Sequence, residues 1–391
     1  MTDESPSPLV VFAGGGTGGH LYPALAVADE LRKLKPDLQF TFFGSDRAID
    51  QKILQSRHAT LIRQSLAPLS GKPWRWPGIL GDIHAARRVC HEMFAAHRPL
   101  AVVGTGGLAS VPAVLEAVRM GIPTGLINPD VVPGKANKFL SRRVDRVFAQ
   151  FSDSASYLPK KAKVDVCGCP VRPEFLSARR EDGVARFGLD PKRKTLLVTG
   201  ASQGARTIND AVLANADFFA DRVDWQILHL TGDADYERVR AAYQGQGTRA
   251  VVLTYTEYMA ETLAAVDLVI SRAGASTLAE LTAVGRASIL LPYPFHRDQH
   301  QAVNAKCLEK AGAAITLKDE RDVQINGPAL RKILAEQLND MAKIAAMGDA
   351  ARRLGHPKAA AHMASTLLQM AAENGLSRHA ESLQQSGSLA R

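Results

Sequence analysis

Three times along the chain a short apolar run stops at a cluster of glycines and other small residues, with a helical pattern directly behind it. Leu9–Ala13 leads into Gly14-Gly15-Gly16-Thr17-Gly18-Gly19-His20, and Thr195–Thr199 into Gly200-Ala201-Ser202-Gln203-Gly204-Ala205-Arg206. Asp267–Ser271 leads into Arg272-Ala273-Gly274-Ala275-Ser276-Thr277-Leu278-Ala279-Glu280. Few folds accept this arrangement, because each buried strand must turn sharply into a helix. Glycine permits the turn and lets backbone N–H groups approach an anion that side chains would otherwise block. Each helix start also offers N–H groups without an intrahelical partner at the positive end of the dipole. One such terminus contributes about 0.3–1 kcal/mol toward an anion. Several aimed at one diphosphate, away from water, do much of the work of a metal ion.

Taken singly, each loop is also an ordinary tight turn between strand and helix. The first formally contains G-x-G-x-x-G at Gly14, Gly16 and Gly19, with Asp46 placed as a ribose-binding acid, so a dinucleotide site is a rival reading. His20 at the helix start and a second such loop in the other half of the chain argue against it.

The remaining pattern repeats strand, turn and helix. Gln39–Phe43, Leu100–Gly104, Ile122–Ile127 and Arg146–Ala149 read as strands before a charged stretch around Pro173–Lys194. Trp225–Leu230, Ala250–Thr254 and Ala287–Leu291 follow it. Short apolar strands alternating with helices imply parallel sheets covered on both faces. The expectation is an α/β chain of two Rossmann-like domains with an interdomain cleft, ligands lying beyond the carboxyl ends of the strands. Its divisions are 8–175, a linker at 176–194, a second domain at 195–355, a C-terminal helix at 356–373 and a disordered tail at 374–391.

At 391 residues the chain suits two such domains, and 46% hydrophobic with 22% charged residues is a soluble composition. No apolar run is long enough to span a membrane, and the acidic, polar start is unlike a signal peptide. Cys90, Cys167, Cys169 and Cys307 read as reduced thiols in a cytoplasmic chain. No second Cys or His pair joins Cys167 and Cys169, so metal is not expected there. The net charge of +9 points to an anionic partner. Nucleic acid is not expected, because the basic clusters (Arg142/Arg143/Arg146, Lys160/Lys161/Lys163, Lys192/Arg193/Lys194) carry no aromatic RNA-binding signature. A nucleoside diphosphate or an anionic membrane surface accounts for the charge.

Taken in order, four strings resemble the MurG family of UDP-N-acetylglucosamine:lipid I N-acetylglucosaminyltransferases: Gly15–His20, Ala201–Arg206, Ser271–Glu280 and Leu291–Ala305. The resemblance covers roughly residues 9 to 370. It implies the GT-B fold of two Rossmann-like domains, with UDP-GlcNAc held mainly by the C-terminal half. It further implies that Glu280 accepts hydrogen bonds from the ribose hydroxyls and that Tyr258-Met259 lie against uracil. Arg272 and Ser202 would face the uridine and diphosphate, while Ala275, Ser276 and Thr277 would supply N–H groups to phosphate. Gln301 and His300 would contact the sugar hydroxyls, and Thr17, Gly18 and Gly19 would close over the diphosphate and sugar. Arg172 matches a donor-site arginine. Three segments depart from the family: Ile127-Asn128-Pro129-Asp130 replaces His-Glu-Gln-Asn, Gly106-Gly107-Leu108 replaces Gly-Gly-Tyr, and Cys169 replaces Asn.

The activity so implied is inverting transfer of GlcNAc to the MurNAc 4-hydroxyl of lipid I, forming lipid II in peptidoglycan synthesis. His20 is the candidate base, since a helix N-terminus disfavours a second positive charge. Asp130 is the weaker alternative, and a His20 that only hydrogen-bonds its turn is the plainer one. No cofactor or metal is expected. Asp233-Ala234-Asp235 spells D-x-D but opens a helix, where Asp is a common cap. Alternatives are a UDP-sugar transferase with another lipid acceptor such as a diacylglycerol, a UDP-GlcNAc epimerase, an inactive UDP-GlcNAc-binding paralogue and an NAD-dependent dehydrogenase.

A polyprenyl acceptor requires peripheral attachment to the cytoplasmic face of the inner membrane. Leu66–Leu80 sets Lys72 and Arg75 beside Trp74, Trp76, Ile79 and Leu80, a combination suited to a headgroup interface as well as to a packed surface loop. The double change Trp74→Ser with Trp76→Ser is expected to weaken binding to anionic liposomes while leaving UDP binding intact. Unchanged liposome sedimentation would assign the two tryptophans to packing.

Overall fold

The computed structural model describes residues 7–15, 18–45, 51, 54–55, 59–64, 66, 76–201, 203–295 and 299–388, with Gly18, Trp76 and 378–388 as backbone alone. Thr17, Ser202 and Trp74, and the side chain of Trp76, therefore lie outside the described residues. The chain forms two compact units, Met1–Pro170 with Lys358–Arg391, and Val171–Pro357.

The N-terminal unit is built on β1 (Leu9–Gly14), β2 (Gln39–Gly44), β3 (Thr60–Arg63), β4 (Ala101–Gly106), β5 (Thr124–Asn128), β6 (Arg146–Ala149) and β7 (Val164–Val166). They form one parallel sheet in the order β3-β2-β1-β4-β5-β6-β7. β1 shows why both faces are covered. Val10 and Phe12 enter one apolar cluster with Leu21, Leu25 and Leu31, and the alternate residues Leu9, Val11 and Ala13 enter another with Phe43, Phe94 and Val114. Side chains alternate along a strand, so a run that is apolar throughout needs a helical layer on each side.

The C-terminal unit repeats the plan with β8 (Lys194–Thr199), β9 (Trp225–Leu230), β10 (Ala250–Leu253), β11 (Leu268–Ser271), β12 (Ala287–Leu290) and β13 (Ala314–Thr316). Their order is β10-β9-β8-β11-β12-β13, again all parallel. Each sheet reverses its strand order once, between β1 and β4 and between β8 and β11. The glycine-rich loops follow β1, β8 and β11, so all three leave strands that flank a reversal, where the loops diverge and leave a crevice.

Three strands escape the sequence pattern: β3, β7 and β13. All are sheet edges. β3 and β7 contain no fully buried residue, so neither needs a continuous apolar run.

Two expected divisions differ from the structure. The stretch read as a linker at 176–194 takes in the end of helix Glu174–Ser177 and all of helix Arg180–Arg186, and the second packs on helix Met259–Ala265 within the C-terminal unit. The tail expected to be disordered from Asn374 continues a helix, Ala359–Ser388, through Ser388. This helix belongs to the N-terminal unit, where it packs on helix Gly18–Leu34 and buries Met363, Ala364 and Leu367. Asn374 Nδ2 donates to Gly121 O at 3.2 Å, so the polar segment still has a partner. Periodicity reveals an apolar stripe on this helix but not which sheet it will cover. Among the described residues no helix is long and apolar enough to cross a membrane.

The contact between helices Arg180–Arg186 and Met259–Ala265 requires glycine. A Cβ on Gly183 would stand 2.2 Å from Glu261 O and 2.8 Å from Ala265 Cβ. Alanine ordinarily stabilises a helix interior by about 1 kcal/mol over glycine. Here Gly183→Ala is expected to destabilise by roughly 1–3 kcal/mol through overpacking, read as a lower urea midpoint with unchanged slope. An unchanged or raised midpoint would refute the close packing.

Candidate active site

At the carboxyl end of β1 the chain passes Gly15 and enters helix Gly18–Leu34, whose first turn carries His20. His20 Nδ1 lies 2.7 Å from Gly15 O. A carbonyl only accepts, so Nδ1 is the N–H donor, and Nε2 is the ring nitrogen that this bond leaves available. That nitrogen sits over the end of β4. A Cβ on Gly106, whose φ is +111°, would be 3.1 Å from His20 Nε2 and 3.7 Å from Asn137 Oδ1. Glycine there permits the backbone conformation and lets the imidazole lie against the chain.

A chain of amides underlies this corner. Asn137 Nδ2 donates to Ile127 O at 3.0 Å and to Asn128 Oδ1 at 3.2 Å, and Asn128 Nδ2 donates to Asp130 O at 2.8 Å. Both asparagines are buried. Asn128, in the segment that departs from the family pattern, braces the loop after β5 and sets the backbone of Asp130. Nothing in the sequence neighbourhood of Asn137 marks it as a neighbour of His20.

In the C-terminal unit, helix Ala275–Val284 begins behind β11 with Gly274 at its N-cap. Its first helical bond runs from Leu278 N to Gly274 O. The N–H groups of Ala275, Ser276 and Thr277 precede that bond, and a glycine cap brings no side chain to them. Helix Arg206–Leu213, behind β8, likewise starts with Ala205 and no side-chain cap.

Gln301 joins the two loops beside that helix end. Its Oε1 accepts from Ala273 N at 3.1 Å and from Tyr293 N at 2.9 Å. This fixes the amide orientation and leaves Nε2 as the donor end, 3.9 Å from where a Gly274 Cβ would stand. His300 opens the same helix, His300–Lys310. Glu280 lies in the second turn of Ala275–Val284. Desolvation pushes its carboxyl up to about 7, and the nearby Arg172 guanidinium works in the opposite direction. The structure therefore assigns Arg172 to the C-terminal unit, beside Glu280, and not to the N-terminal division that sequence reading gave it.

Two expectations need correction. Arg272, expected to face the uridine and diphosphate, is only 7% exposed and turned inward. Its Nη1 donates to Leu291 O at 2.9 Å and to Asp319 Oδ2 at 2.7 Å, and its Nη2 to Thr207 Oγ1 at 2.7 Å. Burial opposes the Asp319 charge, but Thr207, Arg272, the Arg321 N–H and Asn326 together hold that carboxyl below its usual range. Arg272 thus ties the loops after β11 and β12 to helix Arg206–Leu213. No sequence signal pairs it with Asp319, 47 residues away. Asp235, expected as a helix cap, stands at the N-cap of Tyr236–Gly245 but makes no cap hydrogen bond. Its carboxylate accepts from Asn209 Nδ2 at 2.9 Å and from Arg238 at 2.9 Å. The first acid of that D-x-D, Asp233, lies with it in a short 3-10 turn.

Tyr258 is half-exposed at the start of helix Met259–Ala265. The Arg186 guanidinium lies 3.6 Å from its ring centroid and is also ion-paired with Glu261. Arg186 comes from the stretch read as a linker, so sequence reading gave it no role beside Met259.

The N-terminal unit carries a second concavity of about 570 Å³ between helices Trp76–Ala96, Val111–Arg119 and Lys135–Leu140. Its lining is mostly apolar, including Ile79, Ile83, Val111 and Leu115, and His84, Arg87 and Lys135 also contribute. Leu80 and Phe139 beside it are 64% and 42% exposed.

The N-terminal domain of glycosyltransferase family 28 matches residues 10–149, and the C-terminal domain of that family matches residues 195–363. A curated relative from Desulforudis audaxviator is 37% identical over 360 residues, spanning 90% of this chain and 95% of its own length. Another from Bacillus subtilis is 34% identical over 365 residues, spanning 92% and 99%. Both are named UDP-N-acetylglucosamine–N-acetylmuramyl-(pentapeptide) pyrophosphoryl-undecaprenol N-acetylglucosamine transferase. The crystal structure of Acinetobacter baumannii MurG superposes with a TM-score of 0.74 at 25% identity, covering 93% of this chain and 99% of that one. A UDP-GlcNAc 2-epimerase from Neisseria meningitidis, bound to UDP-GlcNAc, shares the fold with a TM-score of 0.64 at 16% identity, covering 92% and 100%. With two parallel sheets of this order and relatives matched along most of their length, the chain is a GT-B glycosyltransferase and belongs to family 28, among the N-acetylglucosaminyltransferases that carry that name.

Proposed function

We infer that the chain transfers GlcNAc from UDP-GlcNAc to the 4-hydroxyl of the MurNAc of lipid I, with inversion, releasing UDP. The observation that carries the reading is the amino end of helix Ala275–Val284, with three N–H groups ahead of its first helical bond, Glu280 one turn on and Gln301 beside it. That set matches what a nucleoside diphosphate sugar presents. The phosphates take N–H donors, the ribose hydroxyls donate to Glu280, and Gln301 Nε2 reaches a sugar oxygen. The shared name of full-length relatives supplies the acceptor.

In this reading the acceptor oxygen attacks the anomeric carbon as the bond to the β-phosphate breaks. His20 Nε2 takes the hydroxyl proton, because Gly15 O holds the other nitrogen as the donor. The growing negative charge on the diphosphate is drawn off by the helix-end N–H groups, so the step needs no metal. Arg272 supports this site as a brace between its loops.

The apolar concavity beside exposed Leu80 and Phe139 is the surface suited to a lipid interface. Lys135, Lys138, Arg142 and Arg143 nearby are all exposed and favour anionic headgroups. Attachment is then peripheral, at the cytoplasmic leaflet where lipid I is made.

Incubating labelled UDP-GlcNAc with a short-chain lipid I analogue is expected to yield a β-linked disaccharide and an equal amount of UDP. Donor conversion to its 2-epimer without disaccharide would favour the epimerase reading. His20→Gln is expected to lower kcat by roughly 10²–10⁴-fold with little change in KM for UDP-GlcNAc. An unchanged kcat would remove His20 from the chemistry.

Glu280 gives this reading a pH signature. In the ligand-free chain its carboxyl holds a proton up to about pH 7. Ribose hydroxyls donate best to the ionised form, so UDP binding expels that proton. Affinity is therefore expected to weaken as pH falls below about 7, approaching about tenfold per unit. Because the folded value is raised, ionising Glu280 costs stability as pH rises toward that value. Glu280→Gln is thus expected to abolish the pH dependence of UDP binding while leaving the ligand-free chain no less stable at alkaline pH. Calorimetry in buffers of different ionisation enthalpy checks the proton release.

A further inference from the structure

Asp165, Cys167 and His362 meet at the edge of the N-terminal unit, and the transferase chemistry uses none of them. Asp165 lies in edge strand β7, and Cys167 follows that strand directly. His362 sits in the first turn of helix Ala359–Ser388, just after Lys358, where the chain rejoins the unit. One carboxylate oxygen, the Cys167 Sγ and one imidazole nitrogen all lie within 4.8 Å of one another. Asp165 Oδ2 and His362 Nε2 are 2.8 Å apart, although 197 residues separate them. Cys167 is buried and the His362 side chain is half-exposed, so the cluster has an apolar floor and a side open to water. The sequence offered Cys167 without a partner pair. Asp165 stands two residues before it in β7, and the fold brings His362 to the pair from the returning helix.

We propose that Asp165, Cys167 and His362 form a binding site for a single zinc-like divalent transition ion, which fastens the returning C-terminal helix to the edge of the first sheet. The donor set decides the class of ion. Sulfur, imidazole nitrogen and one carboxylate oxygen suit zinc and its first-row neighbours, whereas magnesium and calcium take oxygen ligands. Three protein donors leave water as the fourth ligand in a tetrahedral arrangement. On binding, Cys167 gives up its thiol proton to solvent, and the proton that His362 Nε2 donates to Asp165 moves to the other ring nitrogen or to solvent, which frees Nε2 to bind the metal. The two resulting anionic ligands balance the charge of the divalent ion. Its place gives it a structural task. It spans the last strand before the chain leaves the unit at Pro170 and the first turn after it returns at Lys358.

The test is a cobalt titration of the full chain after chelator treatment. The expected result is a sulfur-to-cobalt charge-transfer band that saturates at a single equivalent and is displaced by zinc, with zinc raising Tm reversibly. Cys167→Ser is expected to abolish the band. His362→Gln, at a half-exposed side chain, is expected to weaken binding by more than about tenfold, the range that loss of even an outer partner produces. No sulfur band in the parent chain would overturn the site. So would a band that survives in Cys167→Ser, which would assign the metal to Cys90, Cys169 or Cys307. Should Cys167→Ser fail to fold, unchanged cobalt affinity in His362→Gln overturns the proposal alone.

Discussion

The controlling constraint is that every described strand of both sheets runs parallel and the central strands are covered on both faces. Such a sheet cannot use hairpins, so each strand must be followed by a helix that starts at the strand's carboxyl edge. Helix amino ends, whose first N–H groups have no intrahelical partner, therefore collect along that edge of each sheet. Where the strand order reverses, the neighbouring loops diverge and leave room for a ligand. The positions of His20, the Gly274–Thr277 turn and the Ala205 turn all follow from this geometry. Glycine and other small residues occupy these turns because each buried strand must turn sharply into its helix there.

Holding such turns open requires braces, and here they are buried polar groups. Arg272 and Asp319 form a buried pair whose further hydrogen bonds go to Thr207, Leu291 O and Asn326. A buried ion pair adds little net stability once desolvation is counted, but breaking one is costly because a charge is left without its partner. Its value here is geometric, since it ties loops from three strands into one piece. Gln301 and the Asn128–Asn137 pair serve the same end with neutral amides. His229 extends the principle into the core, between Tyr243 OH at 2.9 Å and Asn209 Oδ1 at 3.0 Å. Full burial pushes its imidazole down to about 3, so it stays neutral and acts as a fixed link.

Central strands and edge strands differ in how readily they can be read. Leu9–Ala13 and Asp267–Ser271 stand out because strands buried on both faces are predominantly apolar, and Trp225–Leu230 does so although its Gln226 and His229 are buried with hydrogen-bond partners. Thr60–Arg63, Val164–Val166 and Ala314–Thr316 lie at sheet edges and do not. Side-chain roles divide similarly. Glu280 and Gln301 stand in long matched strings and lie beside the uncapped helix end. Arg272 stands in the same kind of string, yet its guanidinium turns inward. Identity at a position carried no information about the direction of its side chain.

The amino-acid sequence by itself determined the class of fold, most of its strands and the three glycine-rich turns behind β1, β8 and β11. Apolar rhythm and turn chemistry are local properties, readable within a dozen residues. Tertiary structure alone decided that the last helix belongs with the first sheet and that the stretch 176–194 carries a packed helix, Arg180–Arg186. It also decided that Arg186 covers Tyr258 and that His362 reaches Asp165. Each of these depends on residues brought together across tens to hundreds of positions, where burial and partner chemistry, not spacing, select the contact.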